Sequence, residues 1–214
     1  MTPTDKLIAA LSEAVAPVKR LPSPEVRAGK WLAFAACVVG VLVAMHGPRA
    51  DLAIRFADPA FVVPWTASVL VGLTAAFAAF QMSVPGDKRT LELLPILPLA
   101  VWLGTLGTGC AAELSDMGRA AFGMSWVCFK FIVLTGSALG LAMALMLRKA
   151  APLAPSRTLA MGALAAAAFA SAGLELFHPL QTSTMVLVWH LGSVAFVTLA
   201  ALPLGQRALG KSAY

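Results

Sequence analysis

The chain has 214 residues, 59% of them apolar and only 12% charged, with 16 Lys and Arg against 10 Asp and Glu for a net charge of +6. Its mean hydropathy is +0.83. A soluble domain carries roughly a quarter of its residues as charges, so this composition excludes an ordinary water-facing surface, and with it disordered, collagen-like and disulfide-stapled scaffolds. The class implied is an all-α integral membrane protein of one compact domain. The positive surplus has two readings, a nucleic-acid surface or an orientation signal in a bilayer.

Residues 1–30 form a polar, cytoplasmic segment distinct from the rest. Thr2-Pro3-Thr4-Asp5 predicts a helix start, with Thr2 as N-cap, Pro3 in the first turn and Asp5 near the positive end of the helix dipole. Leu7, Ile8, Leu11 and Val15 follow at helical spacing and make one apolar stripe. Pro17 stops the helix, and Val18 to Pro24 is expected to be extended. An apolar stripe facing the cytosol needs a cover. It either lies on the membrane surface, with Lys6 near anionic lipid, or docks in a groove on a cytosolic partner. The residues alone leave both open. No cleavable signal peptide is expected, because the first apolar run continues past any cleavage point.

Residues 31–214 form the membrane domain. A bilayer core needs about 20 apolar residues as helix, and six such runs occur, at about 31–45, 60–82, 91–109, 124–147, 159–177 and 185–204. Pro95 and Pro98 predict a kink or a broken first turn in the third. Gly136 and Gly140 form a GxxxG, and the fifth run is a ladder of alanines, both patterns for close helix packing in lipid. With the N-terminus cytoplasmic, 12 of the 16 basic residues fall on the inner side, and only Arg49, Arg55 and Arg119 lie in outer loops. That asymmetry fixes six helices with both termini inside. The surplus is thus topology; a nucleic-acid surface would need a clustered basic patch with interleaved aromatics.

Ionisable groups at membrane depth are costly and point to function. Here they gather near the outer end: Cys110 and Glu113 after the third run, Cys128 and Lys130 at the start of the fourth, Glu175 and His178 ending the fifth, and His190 just inside the sixth. Cys110 and Cys128 read as a disulfide, as thiol ligands joining His178, Glu113 or Glu175 around a metal ion, or as small buried residues. Lys130 is expected to pair with Glu113, Asp116 or Glu175. No CxxC, HExxH, GxSxG or Walker loop is present, so no enzyme is expected. Two rivals from other classes are a small transporter or channel, which needs polar faces through the whole bilayer, and a haem or quinone subunit, which needs histidines facing across helices.

The pattern Leu7-Ile8-x-x-Leu11, then Pro17-Val18-Lys19-Arg20-Leu21-x-x-Pro24-x-x-Arg27-Ala28 and Trp31, resembles the start of NrsF-type negative regulators of sigma factors. The resemblance extends through Trp126-Val127-Cys128 and Val188-Trp189-His190. It implies a multi-pass anti-sigma factor of the bacterial inner membrane, without catalytic activity or direct nucleic-acid contact, and with no small-molecule substrate. Its partner would be a cytosolic extracytoplasmic-function (ECF) sigma factor, held through Leu7, Ile8, Leu11, Val15, Lys19, Arg20, Leu21 and Arg27. An oxidant or metal signal on the outer side would release it. The family carries two outer cysteines. Cys128 is similar to the first, whereas His178, followed by Pro179, stands where the second would fall. The departure leaves a Cys128/His178 metal site or a Cys110–Cys128 pair as the sensing arrangement, with Glu113 and Glu175 beside it.

Overall fold

The computed structural model describes residues 2–14, 20–85, 89–117, 126–150, 152–178 and 183–209. Helix α1, Pro3–Ala14, opens as the sequence predicts. Thr2 N–H donates to Asp5 Oδ2 at 2.7 Å and Asp5 N–H donates to Thr2 Oγ1 at 3.2 Å, a reciprocal cap. The Thr2 N–H holds the Asp5 carboxyl below its ordinary range. Every residue from Thr2 to Glu13 is exposed, including Leu7, Ile8 and Leu11, each with more than half its surface free.

Helix α2, Pro24–His46, has Ser23 as N-cap and Pro24 in its first turn. It therefore starts ahead of the expected Trp31, and the boundary drawn at residue 30 falls inside it. The single turn α3, Leu52–Arg55, leads to α4, Pro59–Met82, capped by Asp58. A 3₁₀ turn, Arg89–Leu93, precedes α5, Ile96–Met117. This is the broken start that Pro95 and Pro98 predict. Helix α6, Trp126–Leu147, continues as a 3₁₀ turn to Ala150, and α7 spans Pro155–Phe177. Of the expected fourth run, Met124 and Ser125 lie outside the described residues. The last span begins as the turn α8, Ser183–Met185, passes through a π-helical stretch, Val186–Leu191, and ends as α9, Gly192–Leu209.

Six helical spans are long and apolar enough to cross a membrane. The chain is an all-helical, multi-pass membrane protein. Helix α7 is its axis, packed against α2, α4, α6 and α9, with its alanines from Ala165 to Ala168 fully enclosed. Where apolar burial drives nothing, small residues gain contact by letting backbones approach. A Cβ on Gly136 of α6 would sit 3.1 Å from the Ala167 Cα, so this glycine sets the α6–α7 distance; at Gly140 the nearest atom would be 3.9 Å away.

Two ends of the bundle can be told apart by their contacts. At the end bearing the N-terminus, Arg157 pairs with Glu92 at 3.4 Å. There Arg27 is buried, donating to Ser83 Oγ at 3.3 Å and to the Met146 carbonyl at 3.1 Å, over the Phe80 ring. One turn on, Trp31 Nε1 donates to the Leu139 carbonyl at 3.2 Å. Arg27 was expected to meet the partner. Within the bundle its guanidinium fastens α2 to α4 and α6.

Candidate functional site

At the far end, the polar side chains reach one another through helix geometry. Ser171 and Glu175 lie one turn apart on α7 and face the last span. His190 is fully enclosed in the π-helical stretch and shares a 2.9 Å hydrogen bond between its Nδ1 and Ser171 Oγ. Glu175 Oε1 lies 3.6 Å from the same nitrogen. Cys128, fully enclosed in the first turn of α6, is within hydrogen-bonding reach of His190. Ring pairs on either side fix the α6–α9 register: Trp126 with Trp189 at 5.6 Å and Phe129 with Phe196 at 5.7 Å. A π-helical stretch is uncommon and recurs at functional sites. Here it places the His190 ring against Ser171 and Glu175.

His178 caps the C-terminus of α7, its N–H donating to the Leu174 carbonyl at 2.9 Å. Burial, then the positive charges of His190 and Arg49, hold its imidazole below the ordinary histidine range. Its Nε2 is buried without a hydrogen-bond partner among the described residues. Arg49 is tied to the end of α7 by its N–H to the Leu176 carbonyl and donates twice to Asp51, at 2.5 and 2.9 Å. Arg55 adds a third bond, and the two guanidiniums hold the Asp51 carboxyl down to about 2.

Cys110 and Glu113 were expected in a loop after the third span. Helix α5 runs on to Met117, so both are helix residues. Glu113 spans to the last helix: Oε1 accepts from Ser183 N–H at 2.6 Å, and Oε2 from Thr184 N–H at 2.8 Å and Thr184 Oγ1 at 2.9 Å. It caps orphan N–H groups at a helix start, where a carboxylate is favoured. Gly109 lets α5 come this close, since a Cβ there would collide with Ser183.

Thus Glu175 and Cys128 meet around His190, with His178 beside Arg49 at their edge, while Glu113 is engaged across the α5–α8 contact. None of the three cysteines forms a disulfide. Among the described residues, no group of three His, Cys, Asp or Glu side chains has an arrangement that could hold a metal ion. A Cys128/His178 pair therefore lacks the further ligands that would complete a site. Lys130 is exposed at the start of α6, and among the described residues no carboxylate pairs with it. Of the partner-binding set, Arg20 and Leu21 are exposed, whereas Val15 and Lys19 lie outside the described residues.

Ser171 is the member that sequence reasoning missed, and His190, read among the outer-end polar groups, was not assigned to the sensing set. The available signal was Ser171 one turn before Glu175. The depth of His190 depends on the π-helical stretch, which no residue pattern announces.

A multi-pass helical membrane protein with an exposed amphipathic helix at one end, and a buried Cys-His-Glu-Ser cluster at the other, has the layout of a membrane-bound regulator. The chain belongs to the NrsF family, described as negative regulator of sigma F, whose sequence profile matches residues 11–210. Its function is accordingly negative regulation of a sigma factor, and its partner is a sigma factor. Neither the curated proteins nor the solved structures contain a match.

Proposed function

We propose that this chain is an anti-sigma factor of the bacterial inner membrane that retains an ECF sigma factor on the cytoplasmic side. Leu7, Ile8 and Leu11 of α1, Val15 beyond it, and the Lys19-Arg20-Leu21 segment form the contact. The observation that carries the reading is the exposure of every residue from Thr2 to Glu13, including the apolar stripe of Leu7, Ile8 and Leu11. Such a stripe suits a groove on a partner. Its acidic residues, Asp5 and Glu13, disfavour an anionic membrane surface. The basic excess near the N-terminal end supports placing that end in the cytoplasm.

The signal acts at the opposite, periplasmic end, on the Cys128 thiol. The donor set favours an oxidant over a metal ion. Transfer of one oxygen from hydrogen peroxide to the sulfur would give a sulfenic acid and release water. The new polar oxygen would enter a fully enclosed site between α6 and the π-helical stretch, where an unsatisfied polar group costs about 1–3 kcal/mol. Helix α6 carries that strain toward the cytoplasm. Cys128 lies about 27 Å along the helix axis from Met146, whose carbonyl holds Arg27 at the root of the partner-binding segment. Arg27 acts as a coupling anchor in this scheme. A signal changes the equilibrium only by favouring one packing over the other.

The test is fractionation of cells expressing the full chain together with the sigma factor encoded beside it. The sigma factor is expected in the membrane fraction with the wild-type chain and in the soluble fraction with Leu11→Asp. Equal distribution with the two chains would overturn the assignment. Cys128→Ser should keep retention while abolishing release by peroxide; unchanged release would remove this thiol from the mechanism.

A further inference from the structure

The last span meets α6 differently along its length. Toward the far end, the Trp126–Trp189 and Phe129–Phe196 ring pairs close the two helices on each other. From Phe196 onward, a groove of about 430 Å³ lies between them. Ala163 of α7 is part of its floor, Gly136 and Gly140 of its α6 wall, and Ala200 and Leu204 of its α9 wall. Arg207 stands at the other end of the groove, beside Gly205, which lies against Ser156 at the start of α7. This is the end of the bundle that bears the N-terminus. Arg207 is exposed, and among the described residues no carboxylate pairs with it. None of the residues lining the groove is acidic.

From Phe196 to Arg207 the helix rises about 17 Å, against about 15 Å for half the hydrocarbon core of a bilayer. The groove therefore spans one leaflet, with a cation where the headgroups of that leaflet begin. A membrane helix of a second copy would need the full depth of the core, and the ring pairs shut the other half. A dry cavity of about 150 Å³ accepts benzene; a volume well above that, drawn out along a helix, suits an alkyl chain. A guanidinium donates through its planar fork to phosphate oxygens, and basic sites between membrane helices take anionic headgroups. With no acidic residue in the lining to meet a headgroup ammonium, a net-negative lipid is favoured. The groove of about 530 Å³ between α4 and α5, lined by Val63, Leu70 and Leu97, has no charged residue in its lining and lacks this pairing of features. We propose that the α6–α9 groove is a binding site for an anionic phospholipid of the adjacent leaflet, with one acyl chain between the helices and its phosphate accepting from Arg207. The assignment stands apart from the sigma-factor reading and is tested without a sigma factor.

The test is thermal unfolding of the purified full chain in dodecyl maltoside micelles, titrated with dioleoylphosphatidylglycerol. Dioleoylphosphatidylcholine supplies the same chains without net charge, and inorganic phosphate supplies the anion without chains. Saturable stabilisation by phosphatidylglycerol is expected, with a weaker effect of phosphatidylcholine and none of phosphate. Arg207→Gln removes the cation, and Ala200→Phe fills the groove, each from an exposed position. Each should weaken phosphatidylglycerol binding by about tenfold or more, the worth of one charge-assisted hydrogen bond. Val63→Phe, which fills the uncharged groove instead, should leave the titration unchanged. Equal effects of the two lipids, stabilisation by phosphate alone, unchanged affinity in Arg207→Gln or Ala200→Phe, or an equal loss in Val63→Phe would overturn the proposal. Stabilisation that rises with protein concentration in the absence of lipid would place a second copy in the groove and overturn it as well.

Discussion

Replacing Arg27 by alanine tests whether α2 is fastened by a buried guanidinium or only by its apolar length. Arg27 makes two charge-donated hydrogen bonds and lies with its guanidinium carbon 5.2 Å from the Phe80 ring centre. Each such bond contributes roughly 1.5–3 kcal/mol and the ring contact about 0.5–2 kcal/mol. Part of that sum is offset because the variant no longer buries a charge. Ser83 is not orphaned, since its hydroxyl still donates to the Phe80 carbonyl at 2.6 Å. The net loss worked from these contacts is about 2–4 kcal/mol. Arg27→Lys should fall between, because an ammonium lacks the planar fork that reaches Ser83 and Met146 together. The assay is reversible unfolding of the purified chain in mixed micelles, with Lys30→Ala as the control. Lys30 is exposed on the same helix, less than one turn away. A loss in Arg27→Ala no greater than in Lys30→Ala would refute the account of this end of the bundle.

Gly136→Ala should cost about 1–3 kcal/mol by forcing α6 from the Ala167 backbone, whereas Gly140→Ala should be nearly neutral, a contrast read by the same unfolding assay. Glu113→Ala frees two backbone N–H groups and the Thr184 hydroxyl and should cost about 1–3 kcal/mol; hydrogen exchange at Ser183 and Thr184 should quicken with it. The folded-state pKa of His178 lies below its ordinary value, so the unfolded chain binds the proton more readily. This contribution to stability is therefore complete above pH 6.5 and lost as pH falls from there through the folded pKa; His178→Gln should flatten that acid limb.

The six spans were legible because about 20 apolar residues in a row have few alternatives, and the cap at Thr2 placed the start of the first helix. The helix of the first span begins at Pro24, ahead of the apolar run drawn from Trp31, because Arg27 and Lys30 interrupt the apolar pattern. Only the tertiary partners Ser83 and Met146 show that one of them is internal. Helix α5 was likewise drawn to end before Cys110, where Glu113 suggested a loop; that carboxylate is instead consumed at the start of the last span. Of the far-end cluster, Glu175 and Cys128 were found as rare polar groups at depth, but which of their neighbours they meet was not. Ser171 looked like one more small residue in an alanine-rich helix, and His190 needed the π-helical stretch to turn it toward α7. Residue type therefore signalled where chemistry was concentrated, while helix length and local winding decided which groups touch.

The account rests most heavily on α1 as the surface that holds the sigma factor. The direct measurement is the affinity of the purified full chain in detergent for the purified sigma factor, compared with Leu7→Asp, Ile8→Asp and Leu11→Asp. All three residues are more than half exposed, so the bundle should unfold at an unchanged temperature. Affinity should fall by about tenfold or more for each, the loss expected when a charge replaces a buried apolar anchor. Three variants that bind like the wild-type chain would contradict the central claim.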